Sequence, residues 1–346
     1  MFYFPCAIRC EFIRFVLCPT SMKQLIAGII ISVLLGYLSL RGIDYEGVLQ
    51  GFKSIDIAYA AGAVVIMVLM QVIRSVRWGV ILSPIQKVSQ FDLFSVTNVG
   101  FLAIVSFPAR LGEFARPYLI TKKAPIRMSS ALATIFIERI FDSLTVFFIF
   151  TVTMFMTPLP PWLIRSSAFF IVLTLGILGF MIFMLLKREA CLKLLAPLIR
   201  RLPDRYAVKA DRLLHQFIDG FGMMAKPGLL AQVGLLSLAF WIIDGVAIYL
   251  MFLAFHLTLP FIAAFVLMVI LMIGIAIPAG PGFVGNWHFF CILGLTLYGI
   301  PKTDALSFAI IYHFLSIGVV VLLGLLFLPA NRFSLSDLKS VGSGKS

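Results

Sequence analysis

Charge in this chain is gathered into short clusters, and the stretches between the clusters are long, apolar and free of Asp, Glu, Lys and Arg. The uncharged runs are Gln24–Leu40, Ile57–Ile73, Leu93–Ala109, Ser143–Ile164, Ser166–Leu186, Pro227–Ile243, Leu257–Trp287 and Phe314–Asn331. A helix crosses a bilayer with about 20 predominantly apolar residues, and most of these runs reach or approach that length. No soluble core requires so many. Only 12% of the residues are charged and 61% are hydrophobic, whereas a soluble domain carries roughly a quarter charged residues. The pattern predicts an all-α integral membrane protein that crosses several times, with no soluble domain large enough to carry a function of its own.

The formal charge of +13 does not point to nucleic acid, because the basic residues sit between apolar runs. From Lys187 to Lys226 nine Lys or Arg face four Asp or Glu, the bias that marks cytoplasmic loops. Both termini are expected in the cytoplasm of a bacterial-type inner membrane, on the side of that loop. Within it, Tyr206–Met223 alternates charge with Val208, Leu213, Leu214, Phe217 and Phe221, as an amphipathic surface helix does. The five cysteines show neither a paired framework nor metal-ligand spacing. No metal and no cofactor is expected.

The order of runs divides the chain. Residues 1–22 read as an N-terminal extension ahead of an ordinary start at Met22, 23–156 as a first transmembrane unit, and 157–165 as a short external loop. Residues 166–328 form a second unit containing the cytoplasmic segment 187–227, and 329–346 a cytoplasmic tail. Each unit has two spans, a broken hydrophobic segment and one further span. Pro108 and Gly112 break the first segment; Pro281, Gly282 and Gly285 break the second. Basic flanks on both sides of 91–127 favour a re-entrant hairpin there. The layout is that of two inverted-topology repeats with broken helices, an arrangement of transporters that hold substrate near the midplane. A bundle of eight helices with two kinks is the alternative.

Four groups of residues carry candidate chemistry. After the first break, Arg110, Glu113 and Arg116 recur at spacing three, so on a helix Glu113 can pair with either arginine. Glu138, Arg139 and Asp142 lie in the opening turns of a membrane helix. There Glu138 and Asp142 repel unless a cation lies between them. Ionisable groups at that depth are expensive and usually functional, so the two groups are expected to meet in one buried cluster. Arg74, Arg77 and Trp78 stand at the end of the second run, either as a positive-inside anchor with an interfacial tryptophan or as guanidinium groups that hold a lipid phosphate. In the second half, Asn286 and His288 follow the break, and Asp244 is a lone intramembrane acid. His288 and Asp244 are candidates for a proton-coupled step; a buried neutral histidine bonded to a backbone carbonyl is the structural alternative for His288 and for His313.

Together, Arg74-Ser-Val-Arg77-Trp78, Pro108-Ala-Arg110-Leu-Gly112-Glu113-Phe-Ala-Arg116-Pro117, Glu138-Arg139-Ile-Phe-Asp142 and Pro281-Gly282-Phe-Val-Gly285 resemble the flippase-like transmembrane family typified by the membrane half of lysylphosphatidylglycerol synthases. The resemblance covers Met22 to about Leu328. It implies inverted repeats with re-entrant helices, and movement of a lipid between leaflets. Two departures stand out. Asn286-Trp287-His288 occupies the place where many members carry an acid, and no aminoacyl transferase domain follows the last run, so this chain is not expected to aminoacylate a lipid.

The expected function is transport of an anionic phospholipid, or of a polyprenyl-phosphate or glycolipid, rather than catalysis. The competing readings are a membrane enzyme and an accessory subunit of lipid or cell-envelope glycan synthesis. The chain contains no Asp-x-Asp or His-Glu-x-x-His pattern for the former. Expected partners are a membrane lipid, and a lipid-biosynthetic enzyme or a second copy of the chain.

Overall fold

A computed structural model describes residues 19–106, 112–199, 211, 214, 215, 218, 226–277 and 279–331. All regular structure among them is helical. In chain order the helices are α1 (Pro19–Leu40), α2 (Tyr45–Lys53), α3 (Ile57–Leu82), α4 (Gln90–Ser106), α5 (Ala115–Lys123), α6 (Met128–Met156), α7 (Pro161–Leu186), α8 (Arg188–Ile199), α9 (Pro227–Ala254), α10 (Phe261–Ala276), α11 (Asn286–Thr296) and α12 (Lys302–Phe327).

The apolar runs became helices, with boundaries set by local chemistry. Asp44 and Asp56 cap α2 and α3 by accepting from the Glu46 and Ala58 amides, which otherwise lack partners at a helix start. Pro161 and Pro227 open α7 and α9, where a missing N–H costs nothing. At the other end of α1, the Lys302 ammonium donates to the carbonyls of Leu38 and Arg41 at 2.9 and 2.6 Å. Ile57–Leu82, Pro161–Met184, Pro227–Ala254 and Lys302–Phe327 are long and apolar enough to span a bilayer. Ile26–Leu40 meets that test only together with Tyr45–Lys53, across an 86° bend. At 29 residues α6 is also long enough, but it carries Glu138, Arg139 and Asp142.

Two expectations need correction or limits. The second run does not end at Ile73: α3 continues to Leu82, so Arg74, Arg77 and Trp78 lie inside a helix instead of anchoring its end. Between the first two runs, residues 41–56 contain α2. The surface helix expected over Tyr206–Met223 falls almost wholly outside the described residues, as do Pro108 and Arg110.

Burial is arranged for a lipid solvent. α10 is buried almost all round, from Ala263 through Leu271, as expected of a central helix without a polar face. α7 exposes Phe169, Val172 and Leu173. α3 packs along α9, α4 against α12, α10 against α6, and α11 against α1 and α12. Lipid-embedded helices gain no hydrophobic drive from touching each other, so close contact depends on small residues. Gly28, Ser32 and Gly36 form such a stripe on α1. It meets the break between α10 and α11: a Cβ at Gly28 would sit 3.3 Å from the Ala279 carbonyl oxygen, and one at Gly36 3.8 Å from the Gly285 Cα. The Gly280 amide donates to the Ser32 hydroxyl at 2.8 Å.

Gly285 is required twice over. Its φ is +90°, and a Cβ there would collide with the Ser32 carbonyl oxygen. Gly285→Ala is expected to lower stability by about 1–3 kcal/mol from the backbone conformation alone, and by more through the collision. A thermal melt of the purified variant measures it. A melt like wild type would mean that α1 does not rest on the break.

Candidate functional site

The site is a layer of charge that helix packing builds inside the bundle. Arg77 on α3 and Arg116 on α5 converge on two carboxylates of α6, Glu138 and Asp142, one turn apart. Arg116 donates to both Glu138 oxygens, Nη1 at 3.0 Å and Nη2 at 2.9 Å. Arg77 donates to Asp142 with both terminal nitrogens, at 2.5 and 3.3 Å, and lies 3.3 Å from Glu138 Oε1. Arg139 donates to Glu138 at 2.9 Å and approaches Asp142 at 3.6 Å. The cation demanded by two carboxylates at i, i+4 is therefore supplied twice, by Arg77 from another helix and by Arg139 from the same one. Arg77 and Glu138 are wholly buried, and Arg116 is 1% exposed.

Neutral groups complete the layer. Trp241 Nε1 donates to Asp142 Oδ1 at 3.1 Å, and Arg77 Nη1 to the Ser237 hydroxyl at 2.9 Å, both partners lying on α9. Trp78 Nε1 donates to the Thr134 hydroxyl at 3.0 Å, and the Arg116 guanidinium lies 4.4 Å from the Trp78 ring centroid. Gly100 on α4 makes the approach possible, because a Cβ there would run into the Arg116 side chain. Paired, hydrogen-bonded and stacked, these charges meet the conditions under which ions are tolerated in a low-dielectric interior. Arg77, Arg116 and Arg139 face Glu138 and Asp142 here, and Glu113 is close enough to act on Arg139 as well.

Arg74 is different. It lies one turn before Arg77 on α3, half-buried, with its guanidinium 3.9 Å from the Phe101 ring centroid and 4.8 Å from that of Phe240. Its Nη1 donates to Gln71 at 3.0 Å. Among the described residues no carboxylate stands within ion-pair distance of it. Asp244 on α9 is near enough to act on it electrostatically.

The expected meeting of the two clusters is thus observed for Arg116 with Glu138, Arg139 and Asp142, and Arg77 joins them. Glu113 is half-buried and close enough to act on Arg139, but Arg116 takes its carboxylate partner from α6. Arg110 and Pro108 lie outside the described residues, and Gly112 is buried against Ala103 and Ile104. Asn286 is not aimed at a ligand. Its amide donates to the carbonyls of Gly274 and Ile277 at 3.3 and 3.4 Å, which the break leaves without helical partners. His288 lies edge-on to His313, with ring centroids 4.9 Å apart. Gly282 and Gly285 hold the break at φ +65° and +90°, and Pro281 opens its short 3-10 turn.

Ser237, Trp241 and Gly100 were not evident as site residues because each lies in an uncharged run, and Thr134 because it lies among the uncharged residues that precede Glu138. The Gly28, Ser32, Gly36 stripe was also missed, although small residues four apart are visible in the sequence.

The chain matches the family described as the lysylphosphatidylglycerol synthase TM region over residues 25–324. It is 26% identical over 238 residues to a "UPF0104 membrane protein" of Methanocaldococcus jannaschii, covering 67% of this chain and 96% of that protein. A "UPF0104 membrane protein" of Methanothermobacter thermautotrophicus is 22% identical over 304 residues, covering 83% and 90%. "Glycosyltransferase AglD" of Haloferax volcanii is 24% identical over 343 residues, covering 88% of this chain but 54% of that protein, so the chain spans about half its length. No solved structure matches. With its apolar spans and the match over most of its length, the chain is a multi-pass membrane protein belonging to the lysylphosphatidylglycerol synthase transmembrane family.

Proposed function

We propose that the protein moves a lipid with an anionic, phosphate-bearing headgroup between the leaflets of the cell membrane. The observation that carries this is Arg74: a guanidinium in a membrane helix, half-buried between two phenylalanine rings, without a contacting carboxylate among the described residues. Placing an ion in a bilayer is costly, and a planar guanidinium binds phosphate bidentately. A phosphate gliding past α3 would supply the counter-charge that Arg74 lacks. The buried layer below it holds α3, α5, α6 and α9 in register.

An internal repeat supports a transporter mechanism. α3 starts at Ile57 and α9 at Pro227; α4 ends at Ser106 and α10 at Ala276; α6 ends at Met156 and α12 at Phe327. Each pair lies about 170 residues apart, as internal duplication in transporters requires. The sequence Pro-Ala-x-x-Gly recurs at the same offset, at Pro108–Gly112 and Pro278–Gly282. The packing of α4 on α12 matches that of α10 on α6. On this reading α4 with α5, and α10 with α11, are re-entrant units entering from opposite faces, and the basic segment 187–227 and both termini face the cytoplasm. α4 and α10, with 17 and 16 residues, are shorter than a span, in keeping with that.

The AglD relative favours a second reading, a membrane component of lipid-linked glycan assembly. One experiment separates them: purified full-length protein reconstituted in liposomes with tail-labelled phosphatidylglycerol, phosphatidylcholine and a polyprenyl-phosphate sugar. Faster movement of the phosphatidylglycerol than of the phosphatidylcholine is expected. Movement of the polyprenyl lipid alone would keep transport and make a glycan carrier the cargo, and movement of none would overturn the transport reading and leave the second.

A further inference from the structure

The second break covers a group of polar aromatic side chains that the charge layer does not use. Trp287 on α11 stacks on His313 of α12, with ring centroids 5.0 Å apart and planes 14° from parallel. Tyr312 lies against the other side of the cluster, 5.5 Å from Trp287. His313 is only 5% exposed. Yet two buried nitrogens here, Trp287 Nε1 and His313 Nε2, have no hydrogen-bond partner among the described residues. Such groups are paired in most proteins, and leaving one unpaired is expensive.

The chemistry of the two atoms restricts what they can take. An indole N–H only donates. The Gly282 backbone acts on the His313 ring in the sense of an acceptor, and Nε2 has no partner among the described residues, so the ring proton belongs on Nδ1. Nε2 of the neutral ring is then a bare acceptor. A donor and an acceptor carried on two stacked rings suit a group that both accepts and donates. A phosphate oxygen would satisfy Trp287 but set its lone pairs against those of His313, and an ammonium would do the reverse. A hydroxyl satisfies both.

We infer that Trp287 and His313 form a subsite for the hydroxyl groups of the lipid headgroup, glycerol or sugar. Asp244 acts electrostatically on both Arg74 and Tyr312, which links the Arg74 position to this group of rings. A headgroup with its phosphate at Arg74 and its hydroxyls toward α11 and α12 would bridge the two halves. The inference rests on the reading of a lipid headgroup as the ligand, but not on transport.

Binding therefore tests it. Full-length protein in detergent is titrated with phosphatidylglycerol and with phosphatidylpropanol, which has the same charge and chain length but no headgroup hydroxyls, and occupancy is read by native mass spectrometry. Wild type is expected to bind phosphatidylglycerol about tenfold more tightly, as the loss of a hydrogen bond to a buried partner implies. Trp287→Phe and His313→Phe, which keep the stacked rings, are each expected to remove the preference while leaving phosphatidylpropanol binding unchanged. Equal affinities in wild type would overturn the inference without needing any variant to fold, and so would a preference that survives both substitutions. A hydroxyl preference in a protein that moves no lipid in liposomes would keep the subsite and sink the transport reading.

Discussion

Glu138→Gln is expected to be the most damaging conservative substitution in this protein. Glu138 is fully buried and contacts three guanidiniums: Arg116 with both oxygens, Arg77 at 3.3 Å and Arg139 at 2.9 Å. The amide keeps the shape, but it removes the charge and turns an N–H₂ toward one of the arginines. Asp142 alone then faces three cations. Removing one member of a buried ionic network costs about 3–5 kcal/mol, because the partners remain charged and unsolvated. The melting midpoint of the purified protein should fall by roughly 10 °C. Arg116→Gln should cost less, because Glu138 keeps Arg77 and Arg139 as partners, whereas Glu138→Gln weakens the hold on all three guanidiniums at once. The double variant should be more stable than the sum of its parts predicts, the signature of coupled neighbours. A Glu138→Gln protein that melts like wild type would show that this carboxylate does not neutralise the layer.

Local pattern made the membrane spans legible, and longer-range pairing explains what it concealed. Apolar runs fix where helices can cross, so α3, α7, α9 and α12 were readable from hydropathy alone. The same logic ended the second run at Ile73, since a charge normally closes a span. α3 continues because Asp142, Glu138 and Ser237 satisfy Arg77, and the last of these lies 160 positions away in the chain. No local window contains that information. The acids of α6 announced themselves as costly at depth, and the need for a cation between Glu138 and Asp142 was readable from their spacing, but not that Arg77 would provide it. Asn286 misled for the opposite reason. A polar residue after a Pro-Gly break reads as a ligand contact, yet its amide is consumed by carbonyls that the break itself exposes. The stripe of Gly28, Ser32 and Gly36 needed only a count of four, and it locates where α1 rests.

Arg74→Gln should separate transport from stability in a way that no member of the buried layer can. Arg74 contacts Gln71 and two phenylalanine faces, and no carboxylate among the described residues. Its removal strands no opposite charge in direct contact, and the lost cation–π contacts are worth about 0.5–2 kcal/mol. The melt should therefore change little beside that of Glu138→Gln. Movement of phosphatidylglycerol in liposomes should fall by about tenfold to a hundredfold, the equivalent of one charge-assisted hydrogen-bonded contact of roughly 1.5–3 kcal/mol. Arg74→Lys is the sharper comparison. It restores the charge without the planar fork and stacks less well between Phe101 and Phe240, so partial recovery is expected if the guanidinium grips a phosphate, and full recovery if charge alone is needed. Lys123→Gln, at a half-exposed pair with Asp92, controls for a general loss of positive potential and should transport normally. If folded Arg74→Gln protein moves phosphatidylglycerol at the wild-type rate, the guanidinium is not the anion site, and its place between the rings is structural.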